Sequence, residues 1–298
     1  MSLNYQIESS HVVDYQLYRL PDIDFVLRGP YWPFDGDVPT ISFVGAAQTF
    51  GTFAKYPFAN LLGDMCSAQV LNLGRGGAGP GFYCNAPNVI RRINQSSACV
   101  VQVMSVRSGA ENRYMKTLEG LASVVLNFGP HKNETMPGER AFGLLAKALD
   151  RPSFVELVLE TRENFIRQYE ALAAVITVPT ILLFVGKNPP LPETRESEGP
   201  GQVKDMIGSH PHMVTKSVFE RISAFFDFSV MVHGAEGFDS RLVNRLNGRY
   251  CSIRRSESYT VTKHDAYIPP LLHARTAVTL FGLVNPLVNG AASTRPKQ

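Results

Sequence analysis

Ala98-Cys99-Val100-Val101-Gln102-Val103-Met104-Ser105-Val106 is a short, apolar, valine-rich run that ends in polar loop residues. Continuous apolar character over so few residues, with three β-branched valines at its start, reads as a strand buried on both faces. Similar runs stand on either side. Thr40 to Val44 ends at Gly45, Gln69 to Leu73 ends at Gly74, Pro179 to Val185 ends at Gly186, and Phe228 to Val232 is shorter. Helical segments alternate with them: Pro57 to Cys66, Pro87 to Ile93, a segment capped by Asp150 that runs to about Val175, Met213 to Phe226, and Leu271 to Leu283. Strands alternating with helices predict an α/β fold, a three-layer α/β/α sandwich around a mostly parallel sheet of about five strands.

Between these elements, residues 110 to 151 break the rhythm, with helical expectations over Tyr114 to Leu126 and Glu139 to Leu149. The sequence divides into an N-terminal arm (1–38), one α/β domain (39–288) carrying 110–151 as a helical insertion or lid, and a flexible tail (289–298). The arm contains Tyr31-Trp32-Pro33-Phe34 and Asp35-Gly36-Asp37, and Pro189 to Gly201 reads as an exposed loop.

The 298 residues are 44% hydrophobic and 18% charged, with 29 Lys and Arg against 26 Asp and Glu. This excludes a disordered or collagen-like chain. A net charge of +3, with no basic stripe or zinc-finger spacing, gives no support for a nucleic-acid partner. Of the basic residues, 20 are Arg and 9 are Lys. The arginine fork suits carboxylate, phosphate or sulfate. Met1-Ser2-Leu3-Asn4-Tyr5 has no basic start followed by an apolar stretch, and no run of 18 apolar residues occurs. No integral membrane segment is expected. The four cysteines form no CxxC pair, so reduced thiols and a cytoplasmic location are the expectation. His210-Pro211-His212 lacks a third ligand at characteristic spacing, and no metal or cofactor is expected. A homo-oligomer is left open.

Open α/β sheets bind ligands beyond the carboxyl ends of their strands. The loops there are Gly45 to Gly51, Asn72 to Gly81, Ser105 to Arg113, Gly186 to Asn188, and His264 to Tyr267. The second holds Gly74, Gly76, Gly77, Gly79 and Gly81, whose backbone amides can approach an anion or oxyanion closely. Arg75, Arg107 and Arg113 are candidate anion ligands, and His273 at the start of the last helix is a candidate general base.

The order of these loops resembles the SGNH or GDSL-like hydrolase superfamily. Phe43-Val44-Gly45-Ala46-Ala47-Gln48-Thr49-Phe50-Gly51 is similar to its first block, of the form GDSxTxG. Asn72-Leu73-Gly74-Arg75-Gly76-Gly77 resembles the second, which supplies an oxyanion-hole amide. Ser108-Gly109-Ala110-Glu111-Asn112 resembles the third, which supplies an asparagine, and His273 takes the place of the late histidine. The resemblance implies a flavodoxin-like sheet and chemistry similar to that of esterases, lipases, carbohydrate deacetylases and O-acyltransferases. Its nucleophilic serine falls on Ala47, and its acidic residue three before the histidine falls on Pro270. A methyl group cannot attack a carbonyl, so the family's covalent route is closed at that position.

The residues then support a non-covalent transfer of an acyl or sulfuryl group from an activated donor to a saccharide hydroxyl. His273 and Asn112 would act on the reacting groups. Gly45, Ala47, Gln48, Thr49, Asn72, Gly74, Arg75, Gly76, Gly77, Arg107 and Arg113 would form the anion site. The alternatives are an inactive relative that binds a glycan or anionic ligand, and an esterase or deacetylase using water directly. In each case the partner is a small molecule or saccharide.

Overall fold

The computed structural model describes residues 7, 9–33, 36–109, 111–193, 206–254 and 260–290. The expected loop beyond residue 193, the tail beyond 290 and the arm positions 34–35 lie outside these.

The central sheet has strands β1 (Thr40–Val44), β2 (Gln69–Asn72), β3 (Ala98–Gln102), β7 (Thr180–Gly186) and β8 (Phe228–His233). Their order is β2-β1-β3-β7-β8 and every neighbouring pair is parallel. Ile41 is in register with Val70 and Ala98, and Cys99 with Thr180. Because side chains alternate along a strand, the inner strands β1, β3 and β7 each feed two cores. Ile41, Phe43, Val100, Ile181 and Leu183 pack under α2 (Phe58–Cys66) and the last helix, α8 (Pro270–Asn289). Val101, Leu182 and Phe184 pack on the other face, under α6 (Arg151–Val175), α7 (Lys216–Ser223) and the smaller α3 (Pro80–Cys84) and α4 (Pro87–Ile93). The three-layer α/β/α sandwich expected from the alternation is present. Burial of each such side chain is worth about 1.5–3 kcal/mol. Asp150 caps α6 by accepting the Ser153 N–H at 2.8 Å.

Segment 114–126 is not helical. It forms β4 (Met115–Thr117) and β5 (Ser123–Leu126), an antiparallel hairpin extended by β6 (Glu134–Pro137) and followed by α5 (Gly138–Ala148). Val124 and Leu126 are buried and alternate with half-buried Ser123 and Val125, a period of two. At the bend Glu119 and Gly120 both have positive φ, +55° and +69°. A helix cannot pass through that conformation, and a Cβ on Gly120 would lie 2.2 Å from the Phe82 backbone nitrogen.

By length and composition α8 could cross a membrane, with a mean hydropathy of 1.3. Its Leu272, Ala277, Leu280 and Val284 are instead buried against α2 and the sheet. The arm is fastened to the domain by Arg28, which is 3% exposed. Its Nη1 donates to the carbonyls of Phe50 and Gly51 and its Nη2 to those of Ala54 and Lys55, at 2.8–3.1 Å.

Candidate functional site

Beyond the carboxyl ends of β1 and β3 lies a cavity of about 600 Å³. The turn after β1 leads into a single-turn helix α1 (Ala47–Phe50) and supplies Ala46, Ala47 and Gln48. The loop after β3 supplies Ser105, Arg107 and Ser108. Ser209, His210 and His212 come from the connection after β7, and Asp265, Ala266 and Tyr267 from the loop before α8. Gly77, Ala122 and Glu139 close the side nearest the hairpin.

Two side chains on this wall form a pair. Ser105 Oγ lies 3.0 Å from His212 Nδ1, and the same oxygen accepts the His212 backbone N–H at 3.1 Å. The Val106 N–H donates to the His212 carbonyl at 3.0 Å, which fixes the two loops against each other. While its oxygen accepts from the backbone, the Ser105 hydroxyl is placed to donate its proton to Nδ1 in the tautomer that leaves this nitrogen unprotonated. Burial pushes His212 down to about 2, with Arg107 and His210 adding to the shift, and pushes His210 down to about 3, with Arg107 adding. Both imidazoles are therefore neutral at pH 7. Their rings stand 5.9 Å apart and nearly perpendicular. Arg107 Nη1 pairs with Glu139 Oε2 at 2.6 Å on the cavity rim.

The turn behind Ala47 is held by buried amides. Gln102 Oε1 accepts from the Ala46 N–H, the Thr49 N–H and the Thr49 hydroxyl at 2.7–3.2 Å. Gln48 Nε2 donates to the Ala266 carbonyl at 3.1 Å, and its Oε1 accepts the Ile268 N–H at 2.9 Å. Asn72 bridges the Thr49 carbonyl (2.9 Å) and the Gly74 N–H (3.0 Å). Gly45 pairs through its N–H and its carbonyl with the Tyr83 hydroxyl. Thus Gly45, Thr49 and Asn72 support the cavity from behind, while Ala47, Gln48, Gly77 and Arg107 line it.

The remaining expected residues lie elsewhere. His273 is fully buried between α8 and α2, where its Nδ1 accepts the Phe58 N–H at 3.1 Å and its ring stacks on Phe58 at 5.7 Å. It is not part of the cavity wall, because the first turn of α8 points its third and fourth residues, Leu272 and His273, into the core. Asn112 closes its own turn, accepting from the Tyr114 and Met115 amides and donating to Thr161. The three arginines do not converge. Arg75 lies against the rings of Phe82 and Phe25, at 4.5 and 5.2 Å, in a separate cleft. Arg113 is exposed and pairs with Glu160 at 2.7 Å. Gly74 and Gly76 are outside the wall. Gly74 serves packing, since a Cβ there would meet the Phe50 backbone nitrogen at 2.2 Å.

The Ser105–His212 pair was not apparent from spacing, because its members are 107 positions apart. The available signals were a serine just past the strongest strand and a histidine-rich connection after the next parallel one. Among the described residues no three His, Cys, Asp or Glu side chains converge as a metal site.

Residues 1–117 match the family model described as a domain of unknown function, DUF6473. That stretch contains Ala47, Ser105 and Arg107 but not His212. No curated protein matches the chain. Among solved structures, the lipase Lip_vut3 from goat rumen metagenome is 9% identical, with 85% of this chain and 100% of that chain covered and a TM-score of 0.44. The acetyl xylan esterase Est2A from Butyrivibrio proteoclasticus is 10% identical over 87% of this chain, TM-score 0.40, and this chain covers 65% of its length. A family two carbohydrate esterase from Clostridium thermocellum, in complex with cellohexaose, is 9% identical over 89% of this chain and 68% of that chain, TM-score 0.42.

Proposed function

We propose that the protein is an ester hydrolase whose reacting centre is the Ser105–His212 pair. The observation that carries this is the 3.0 Å contact between Ser105 Oγ and a neutral His212 on the wall of the strand-end cavity. In this reading Ser105 Oγ attacks the ester carbonyl carbon as its proton passes to His212 Nδ1. Charge developing on the carbonyl oxygen is met by the Arg107 guanidinium. The C–O bond to the alcohol breaks, the leaving oxygen takes the proton from His212, and water then releases the acyl group from Ser105. Ser108, Ser209 and Asp265 suit a hydroxyl-rich alcohol such as a saccharide. In this reading the base is His212, in place of the expected His273, and the acceptor is water in place of a saccharide hydroxyl.

Testing requires a panel of acetyl and longer-chain esters, including acetylated oligosaccharides, with the purified chain. Ser105→Ala and His212→Ala should each lower kcat/KM by at least about 10³, within the range of removing a nucleophile or its base. Full activity in Ser105→Ala would remove the serine from the mechanism, and absence of turnover on every ester would end the reading.

A second reading is favoured by one observation. His273, which holds the place of the family's late histidine, is fully buried away from the cavity, and the position three before it is Pro270 instead of an acidic residue. Together with Ala47, this supports a protein that binds an ester-bearing ligand without turning it over. Saturable binding with no product in the same assays would support it.

A further inference from the structure

We propose that a second cleft, separate from the Ser105 cavity, binds a neutral oligosaccharide by stacking on Trp32 and Tyr56. The cleft has a volume of about 490 Å³ and shares no lining residue with the cavity. It lies between the arm, the turn at Lys55-Tyr56, helix α2 and the loop at Arg245.

Three observations converge there. Trp32 is the chain's single tryptophan and is 56% exposed, while Tyr56 is 59% exposed. Large aromatic rings are expensive to leave in water, and two on one concave wall mark a binding surface. The polar groups beside them have unused capacity. Asn60 Oδ1 is buried without a hydrogen-bond partner, and among the described residues nothing engages the Asp64 carboxylate. Finally, the formal charges nearly cancel: Asp14 and Asp64 face Lys55, Arg245 and Arg28, the last of them buried and donating to four carbonyls.

A cleft with opposed charges offers no strong field for an ion. Its carboxylates and amide instead suit a ligand with many hydroxyls, each able to donate and accept. A pyranose ring presents such hydroxyls at its edge and an apolar C–H face to an aromatic ring. Lys55 Nζ lies over Tyr56 at 5.1 Å, which leaves the other ring face for a sugar.

The platform is also held in place before any ligand arrives. Gln69 Nε2 donates to the Pro33 carbonyl at 3.0 Å, and Asn60 Nδ2 donates to the Gly29 carbonyl at 3.1 Å. These bonds tie the arm to β2 and α2 on both sides of Trp32, so little ordering entropy is lost on binding.

Because Trp32 is alone, its fluorescence reports this cleft directly. The full chain is titrated with neutral cello-, xylo- and manno-hexaose, and in parallel with an acidic oligogalacturonate. The expected result is a saturable change in emission with at least one neutral hexaose. It should be weakened at least about tenfold in Tyr56→Ala and Asp64→Asn, and unchanged in His212→Ala. Calorimetry on Trp32→Ala should show the same loss, with unaltered far-ultraviolet circular dichroism as the folding control. No saturable change with any neutral hexaose would overturn the proposal. So would binding retained in both cleft variants, or a response confined to oligogalacturonate. Loss of hydrolysis in His212→Ala with sugar binding intact separates this site from the Ser105 centre.

Discussion

Gln48 holds the Ile268 backbone: its Oε1 accepts the Ile268 N–H at 2.9 Å while its Nε2 donates to Ala266. One buried side chain therefore sets the distance between the turn after β1 and the loop that carries Asp265 and Tyr267. Gln48→Ala would leave the Ile268 N–H without an acceptor. The expected cost is about 1–3 kcal/mol in a urea melt, with a larger fractional loss in ligand affinity at the cavity than in stability. A variant as stable as the parent would show that the loop is held by other contacts.

His273 and His212 should separate cleanly by mutation. His273→Ala removes the acceptor of the Phe58 N–H and opens a hole beneath α8. Stability should fall by about 2–4 kcal/mol, while kcat/KM at temperatures where the variant stays folded remains within about threefold of the parent. His212→Ala should show the reverse: little change in melting temperature and loss of turnover. If His273→Ala abolished turnover in a folded protein, the base would have to be reassigned.

The pH profile of hydrolysis follows from the neutral state of His212. A base whose ionisation is pushed far below that of free histidine is already unprotonated across the neutral range. The acid limb of kcat/KM should therefore fall well below pH 6.5, with a flat profile between about pH 6 and 8. A midpoint near 6.5 would point to a solvated histidine.

Stability should show the opposite sensitivity to acid. His210, His212, His264 and His273 are held neutral by burial, at about 3, 2, 4 and 3. The unfolded chain takes up protons on the same groups near pH 6.5. Their contribution is complete above pH 6.5 and is lost as pH falls from there toward 3. Melting temperature should drop steadily between pH 6.5 and 4.5, and less steeply in His264→Gln. A flat melting curve over that interval would contradict the burial of these rings.

The sheet was legible because parallel strands covered on both faces are written as short apolar runs. Thr40 to Val44 and Pro87 to Ile93 fall where composition and the first-turn proline place them. The hairpin was not, because Tyr114 to Leu126 mixes leucines, methionine and polar residues at a spacing compatible with either period. Only the positive φ of Glu119 and Gly120 decides it. In the site, Ala47, Gly77 and Arg107 were readable from loop position. Arg75 was not, since its rings come from the arm and α3. The Ser105–His212 pair exists only after β7 has been laid beside β3.

The Arg28 fan has a practical corollary for anyone cutting this chain into fragments. Four carbonyls between Phe50 and Lys55 depend on one guanidinium supplied from well upstream of the first strand. A fragment beginning at residue 39 would keep every strand of the sheet yet lose the donor that those four oxygens share, directly behind the turn that presents Ala47. The smallest piece that can be dissected without collapsing the site from the rear must carry the arm with it.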